Sequence, residues 1–365
     1  MNKLLRIVSI PIFFATIQFS TLRAQTSASL EEVRVDWHLA GVSEAASDYG
    51  SALGYFKEVV ENAKYLPLVS REWYQGIGWL GISRSKARLG DTCGARRALA
   101  TSFSHSFANA ALLEQDTFFG PLVGINFIDS LNAFWSHIRM LNRSEWIQQE
   151  PMVFRPHDAQ PGEPLIICLH GGNGNYRGFA DYWTNVADSA KATVVVPPGI
   201  IRNSEVQNSW EFDLAAIFPS VESLRTECIR KYKADPTQVY LAGFSQGGQA
   251  AIGLTLLHPT LFVGALSFSG FLLDSLDESA LSQASQQHVR FYALSGEWDS
   301  KDFLRSLGDI QRRCTKHGIP FHLELEEKMS HEMPLDFGSR FGEAWRWIRQ
   351  PEPVYDVHSV GGSGQ

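Results

Sequence analysis

The chain has no cluster of lysines and arginines, and its formal charge is mildly negative at −7. Nucleic-acid binding needs a basic face, so that class of partner is set aside. Cysteine is scarce, with four in 365 residues. Four cysteines allow three complete pairings, but their positions discourage any. Cys168 lies in the apolar run 165–169, which reads as a buried strand, while Cys228 and Cys314 fall on predicted helices separated by several strands. Free, buried thiols are expected. The cysteines and histidines show no zinc spacing and no EF-hand loop occurs, so neither a metal nor a cofactor is expected. What is present, 44% hydrophobic and 19% charged residues, suits a soluble globular protein with room for one large domain or two ordinary ones.

The first residues stand apart. Lys3 and Arg6 precede an uncharged, mostly apolar stretch at 7–22, followed by a small-residue zone around Ala24. This is the layout of a secretory signal peptide over residues 1–24, with cleavage after Ala24. The stretch is short against the roughly 20 residues of a membrane span, and Pro11 weakens a spanning helix. An uncleaved N-terminal anchor is the alternative. No cysteine follows the stretch to carry a lipid. Export is expected, to the periplasm or the exterior, and the sequence does not separate the two.

Two rhythms follow. Residues 29–150 read as helical, with apolar residues at spacings of three and four over 46–64, 71–89 and 94–103. Breaks fall at Leu66-Pro67 and at Gly90-Asp91, where glycine suits a helix C-cap. Within this region the turn Leu89-Gly90-Asp91, then Ala95, Ala98, Phe107, the segment from Leu112 to Asp116, Phe119, Pro121-Leu122 and Phe127 are similar to a degenerate tetratricopeptide unit spanning Trp79 to Phe134. Such units bury their faces against neighbours. So short an array should pack on a catalytic domain or on a protein partner; an arbitrary helical cap is the other reading.

Past the proline-rich segment 151–164, strands and helices alternate to about residue 350, and 351–365 read as a flexible tail. Strands are predicted at 165–170, 193–197, 239–243, 262–268, 289–294 and 321–326. Helices are predicted at 179–190, 221–232, 246–257, 279–286, 301–317 and 340–348. Apolar runs separated by helices indicate an α/β fold, a mostly parallel sheet covered on both faces. Function then gathers at the carboxyl ends of its strands.

At one such end stands Gly243-Phe244-Ser245-Gln246-Gly247-Gly248, a G-x-S-x-G turn between an apolar strand and a small-residue helix. The turn lifts Ser245 above the sheet edge at a helix N-terminus, and the N–H of Gln246 faces an oxyanion. The loop His170-Gly171-Gly172-Asn173-Gly174 offers a second oxyanion donor, assigned to Gly172 with Gly171 and Asn173 as neighbours in contention. His170 is read as a prop for that loop.

A serine hydroxyl needs a base within hydrogen-bond reach. Of the histidines after Ser245, only His331 occupies the short loop after the last predicted strand. The orienting acid is read as Asp299, in the loop after the strand at 289–294, with Glu297 and Asp302 as rivals. Tyr176, Trp210, Phe212 and Trp298 lie in loops at the same edge and are candidate substrate contacts.

These motifs, His170-Gly171-Gly172, the turn at Ser245, Gly296-x-x-Asp299 and Ser330-His331, resemble the α/β-hydrolase superfamily over residues 164–349, especially its phospholipase/carboxylesterase branch and small secreted esterases. The resemblance implies hydrolysis of carboxylic esters or thioesters through an acyl-enzyme, without metal or cofactor. The acid loop departs from the branch, lacking the proline and valines common after its aspartate. Two other readings stay open: a serine peptidase or acyl-peptide hydrolase, although no propeller-blade repeats precede Pro151, and an inactive fold whose helical unit binds a partner.

Overall fold

Strands rich in Val, Ile and Leu persist here because each can be covered on both sides. The computed structural model describes residues 31–66, 68–105, 150–172, 174–202, 208–272, 277–334 and 336–350. Among these, one sheet contains β1 (Met152–Phe154), β2 (Leu165–Leu169), β3 (Thr193–Val196), β6 (Val239–Phe244), β7 (Gly264–Phe268), β8 (Arg290–Gly296) and β9 (Phe321–Glu326). A separate ribbon pairs β4 (Ile201–Arg202) with β5 (Asn208–Ser209). The strand order is β1-β3-β2-β6-β7-β8-β9. Only β1 runs antiparallel to its neighbour; the other pairs are parallel. The chain moves from β2 to β3 on one side, then returns to lay β6 on the other. That reversal opens a crevice beyond the carboxyl ends of β2 and β6.

Side chains alternate across the sheet and divide the core in two. Leu165, Ile167, Leu169, Leu241, Ala265 and Phe291 face one layer. It holds α7 (Leu214–Tyr232), α8 (Gln246–Leu257), α9 (Glu278–Gln286) and α10 (Lys301–Lys316). Ile166, Cys168, Ala242, Leu266, Phe268 and Leu294 face the opposite layer, against α5 (Tyr176–Ala180), α6 (Val186–Ala190) and α11 (Phe337–Ile348). Cys168, Cys228 and Cys314 are buried; Cys93 is exposed, contrary to the expectation of buried thiols. Burial pushes the Cys228 and Cys314 thiols up to about 12.

The N-terminal region is helical as read: α1 (31–45), α2 (Tyr49–Ala63), α3 (Leu68–Arg88) and α4 (Thr92–Ser104). Phe56, Val59 and Ala63 of α2 pack against Tyr74, Ile77 and Ile82 of α3 in two small cores. Gly90 takes φ +83° after α3, a conformation that glycine adopts without strain. The expected leader, most of the tetratricopeptide-like stretch and the tail lie at 1–30, 106–149 and 351–365, outside the described residues.

Two element boundaries depart from their local signals. The single helix expected over 179–190 is broken by a 3-10 turn at Asp181–Trp183. There Trp183 is fully buried among Phe179, Phe268, Phe337 and Phe341, and tertiary packing overrides helical period. In contrast, α7 begins seven residues earlier than expected and contains Pro219. Asp213 caps it, accepting from the Ala215 N–H at 2.9 Å. Burial of Leu214, Ile217 and Val221 on both sides of the proline offsets the backbone bond it forfeits.

Candidate active site

Ser245 sits between β6 and α8 with φ +52° and ψ −120°, a strained conformation that costs on the order of 1–3 kcal/mol. It persists because the surroundings over-determine it. The Ser245 N–H donates to the Phe268 carbonyl at 3.0 Å, and its carbonyl accepts from the Gln249 N–H at 2.9 Å. A Cβ on Gly247 would stand 2.0 Å from the Leu169 carbonyl oxygen. Only glycine lets α8 start so close to the end of β2.

Around that serine the structure brings together two loops from the sheet edge. His331 Nε2 lies 2.7 Å from Ser245 Oγ. Its Nδ1 lies 3.0 Å from each carboxylate oxygen of Asp299. The Asp299 side chain is fully buried and also accepts from Ser295 Oγ at 3.0 Å and the Ser300 N–H at 2.6 Å. Rings of Phe244 and Phe303 flank the imidazole at 5.4 and 5.3 Å. The rival carboxylates are engaged elsewhere. Glu297 accepts from the Lys328 N–H at 2.8 Å, and exposed Asp302 pairs with Arg305.

The two loops meet because β8 ends in Gly296. A Cβ there would lie 1.9 Å from the Met329 carbonyl oxygen, a backbone atom unable to give way. Gly296→Ala is expected to cost about 1–3 kcal/mol of stability or more and to part Asp299 from His331. Urea unfolding should read the first effect and the rate of reaction with a serine-directed probe the second.

The remaining predicted residues distribute unevenly. Gly172 lies beside Gln246: a Cβ on it would meet Gln246 Oε1 at 3.0 Å. The Gln246 side chain itself accepts from the Trp210 N–H at 3.0 Å and donates to the Trp210 carbonyl at 2.6 Å. That tie between α8 and the loop after β5 was missed, because a buried glutamine has no sequence signature. Trp210 and Tyr176 are buried, Trp210 donating its indole N–H to the His170 carbonyl at 2.8 Å. Trp210 packs in one core layer and Tyr176 in the other. Phe212 is 59% exposed, and Trp298 is half-buried under the ring of His38. Asn173 lies outside the described residues.

His170 is fully buried, its Nδ1–H donating to the Gly171 carbonyl at 2.7 Å, consistent with a prop for the glycine loop. Burial pushes its pKa down to about 4, the bond to Gly171 offsetting part of the shift. The unfolded chain therefore binds a proton here that the folded chain refuses. The effect is nil above pH ~6.5 and grows as pH falls, reaching a loss of about 3 kcal/mol near pH 4. In His170→Gln, the drop in urea-unfolding free energy between pH 7 and pH 4.5 should shrink relative to the parent. An equal drop would assign the acid sensitivity to other groups.

Residues 144–306, a little under half of the chain, match the family model described as "Putative esterase". Among curated proteins, a bifunctional acetylxylan esterase/xylanase from Neocallimastix patriciarum is 31% identical over 98 residues, covering 26% of this chain and 14% of that protein. A poly(3-hydroxybutyrate) depolymerase from Ralstonia pickettii is 29% identical over 131 residues, covering 29% and 26%. The chain thus spans well under half the length of these curated relatives. Among solved structures, the Bacillus cereus carboxylesterase is similar at 15% identity and TM-score 0.45, covering 57% of this chain and 99% of that one. The chain's own topology, a mostly parallel sheet covered by helices on both faces, is that of an α/β fold. Ser245, Asp299 and His331 meet beyond the carboxyl ends of its strands, in the chain order Ser, Asp, His. Among the described residues, no group of three or more His, Cys, Asp or Glu side chains is placed to hold a metal ion.

Proposed function

We propose that the chain is a serine hydrolase of carboxylic esters or thioesters, acting through an acyl-enzyme on Ser245. The observation that carries this reading is the continuous hydrogen-bonded line from Ser245 Oγ through His331 to Asp299, 2.7 Å and then 3.0 Å, on a strained strand-to-helix turn. His331 takes the hydroxyl proton as Oγ attacks the acyl carbonyl. Asp299 holds the ring with Nδ1–H toward itself and Nε2 toward the serine, and stabilises the imidazolium that forms. The N–H groups of Gln246 and Gly172 stabilise the tetrahedral oxyanion. His331 returns the proton to the leaving group, then activates water to release the acid.

The family match at residues 144–306 supports ester chemistry. Two relatives are named for polymer-linked esters, so such esters belong in a substrate screen with small ones. Of the four aromatic candidates, Phe212 and Trp298 keep exposed surface that could contact an acyl or aryl group. Export rests on the leader pattern at 1–24; among the described residues no helix is long and apolar enough to cross a membrane.

The test is incubation of the mature chain with p-nitrophenyl acetate, followed by rapid acid quench and peptide mass analysis. Release of p-nitrophenol with an acetyl group on the Ser245 peptide is expected. Turnover with acetyl on another residue would refute the assignment of the nucleophile.

A further inference from the structure

We propose that Arg34 and Tyr74, from the helical region, act through Glu332 as positioning residues for His331. This rests on the reading of His331 as the general base. Glu332 directly follows His331, yet it is buried, at 7% exposure. Each of its polar groups is held. Oε2 accepts from the Tyr74 hydroxyl at 2.6 Å. Oε1 lies 2.5 Å from Arg34 Nε in an ion pair and accepts from the Ser330 N–H at 3.2 Å. The backbone carbonyl accepts from Ser269 Oγ at 2.9 Å. Tyr74 and Arg34 are themselves buried, at 2% and 6% exposure. Burial and the neighbouring carboxylate raise the Tyr74 hydroxyl well above its ordinary pKa, so it remains a donor.

The helix face that carries Arg34 explains why the contact is specific. Glu31, Arg34 and His38 recur at spacings of three and four and share one side of α1. Glu31 pairs with Lys328 at 3.3 Å, at the start of the base loop. His38 stacks on Trp298 with ring centroids 4.3 Å apart and planes 19° apart. Trp298 precedes Asp299 as Glu332 follows His331. One helix face therefore touches both loops that supply the acid and the base. The exposed Glu31–Lys328 pair contributes little. The buried Arg34–Glu332 pair differs, because losing one partner strands the other charge. Glu332 could then recover solvation only by moving its loop, and His331 would move with it. A displacement of ~1 Å at a reacting group is enough to cost about 100-fold in rate.

The experiment uses the full mature chain with Arg34→Ala and Tyr74→Phe, the latter retaining the ring if the former folds poorly. Three quantities are read: kcat and KM for p-nitrophenyl acetate, the fluorophosphonate labelling rate of Ser245, and amide hydrogen exchange over 328–334. The expected result for Arg34→Ala is a kcat fall of about 10- to 100-fold, with KM within about twofold. Exchange over 328–334 should quicken, and added guanidinium ion should restore part of kcat. Tyr74→Phe should change the same quantities in the same directions by smaller factors. Unchanged kcat in both variants beside an active wild type would overturn the positioning role. So would a fall in kcat matched by an equal loss of folded protein, or unchanged exchange over 328–334. A wild type that neither labels nor turns over would instead refute the hydrolase reading, while the exchange measurement still reports whether Arg34 holds the loop.

Discussion

Ser245→Ala is expected to abolish labelling by a fluorophosphonate and to lower kcat by about 10⁴-fold or more. The hydroxyl removed is the one 2.7 Å from His331 Nε2, and no water can be driven onto the same carbonyl with comparable orientation. The fold should be indifferent to the change. Ser245 is half-buried, and the turn is held by its backbone bonds to Phe268 and Gln249, which alanine retains. Urea unfolding should therefore shift by less than about 1 kcal/mol. Persistent labelling of the variant would identify a different nucleophile.

Asp299→Asn should be nearly as severe, lowering kcat at neutral pH by roughly 10⁴-fold. Both carboxylate oxygens lie 3.0 Å from His331 Nδ1 and can only accept, so they select the tautomer whose Nε2 is free to take the serine proton. An amide in that place can donate, and so permits the wrong tautomer. It also carries no charge to stabilise the imidazolium. Glu297→Gln and Asp302→Asn provide the contrast, since neither carboxylate faces the imidazole, and each should leave kcat within about threefold. A large loss in Glu297→Gln with a small one in Asp299→Asn would transfer the orienting role. Steady-state kinetics on one ester, with circular dichroism to verify folding, distinguishes these outcomes.

Local patterns carried much of the fold. The apolar runs at 165–169, 193–196 and 239–244 became central strands because two-sided burial demands continuous hydrophobicity. The G-x-S-x-G turn was legible for a related reason. Its glycines are required wherever a helix starts this close to a neighbouring strand, and that constraint appears as residue type. Less could be read where burial depends on distant partners. Tyr176 and Trp210, candidate substrate contacts by position, pack in the core. Trp183 breaks an expected helix because three phenylalanines from elsewhere in the chain, Phe268, Phe337 and Phe341, surround it.

By itself, then, the sequence determined the alternation of strands and helices, the helical character of the N-terminal region and the strained turn at Ser245. Each is written in spacing and residue type within a few positions. Tertiary structure alone decided which carboxylate meets His331, since Glu297, Asp299 and Asp302 lie within six residues and differ in where the end of β8 and the start of α10 aim them. It alone placed Arg34 and Tyr74 on Glu332, a contact that spans 258 residues for Tyr74. Pairing across such distances leaves no periodicity in the chain, because it arises only when separate layers close and buried charges must find partners.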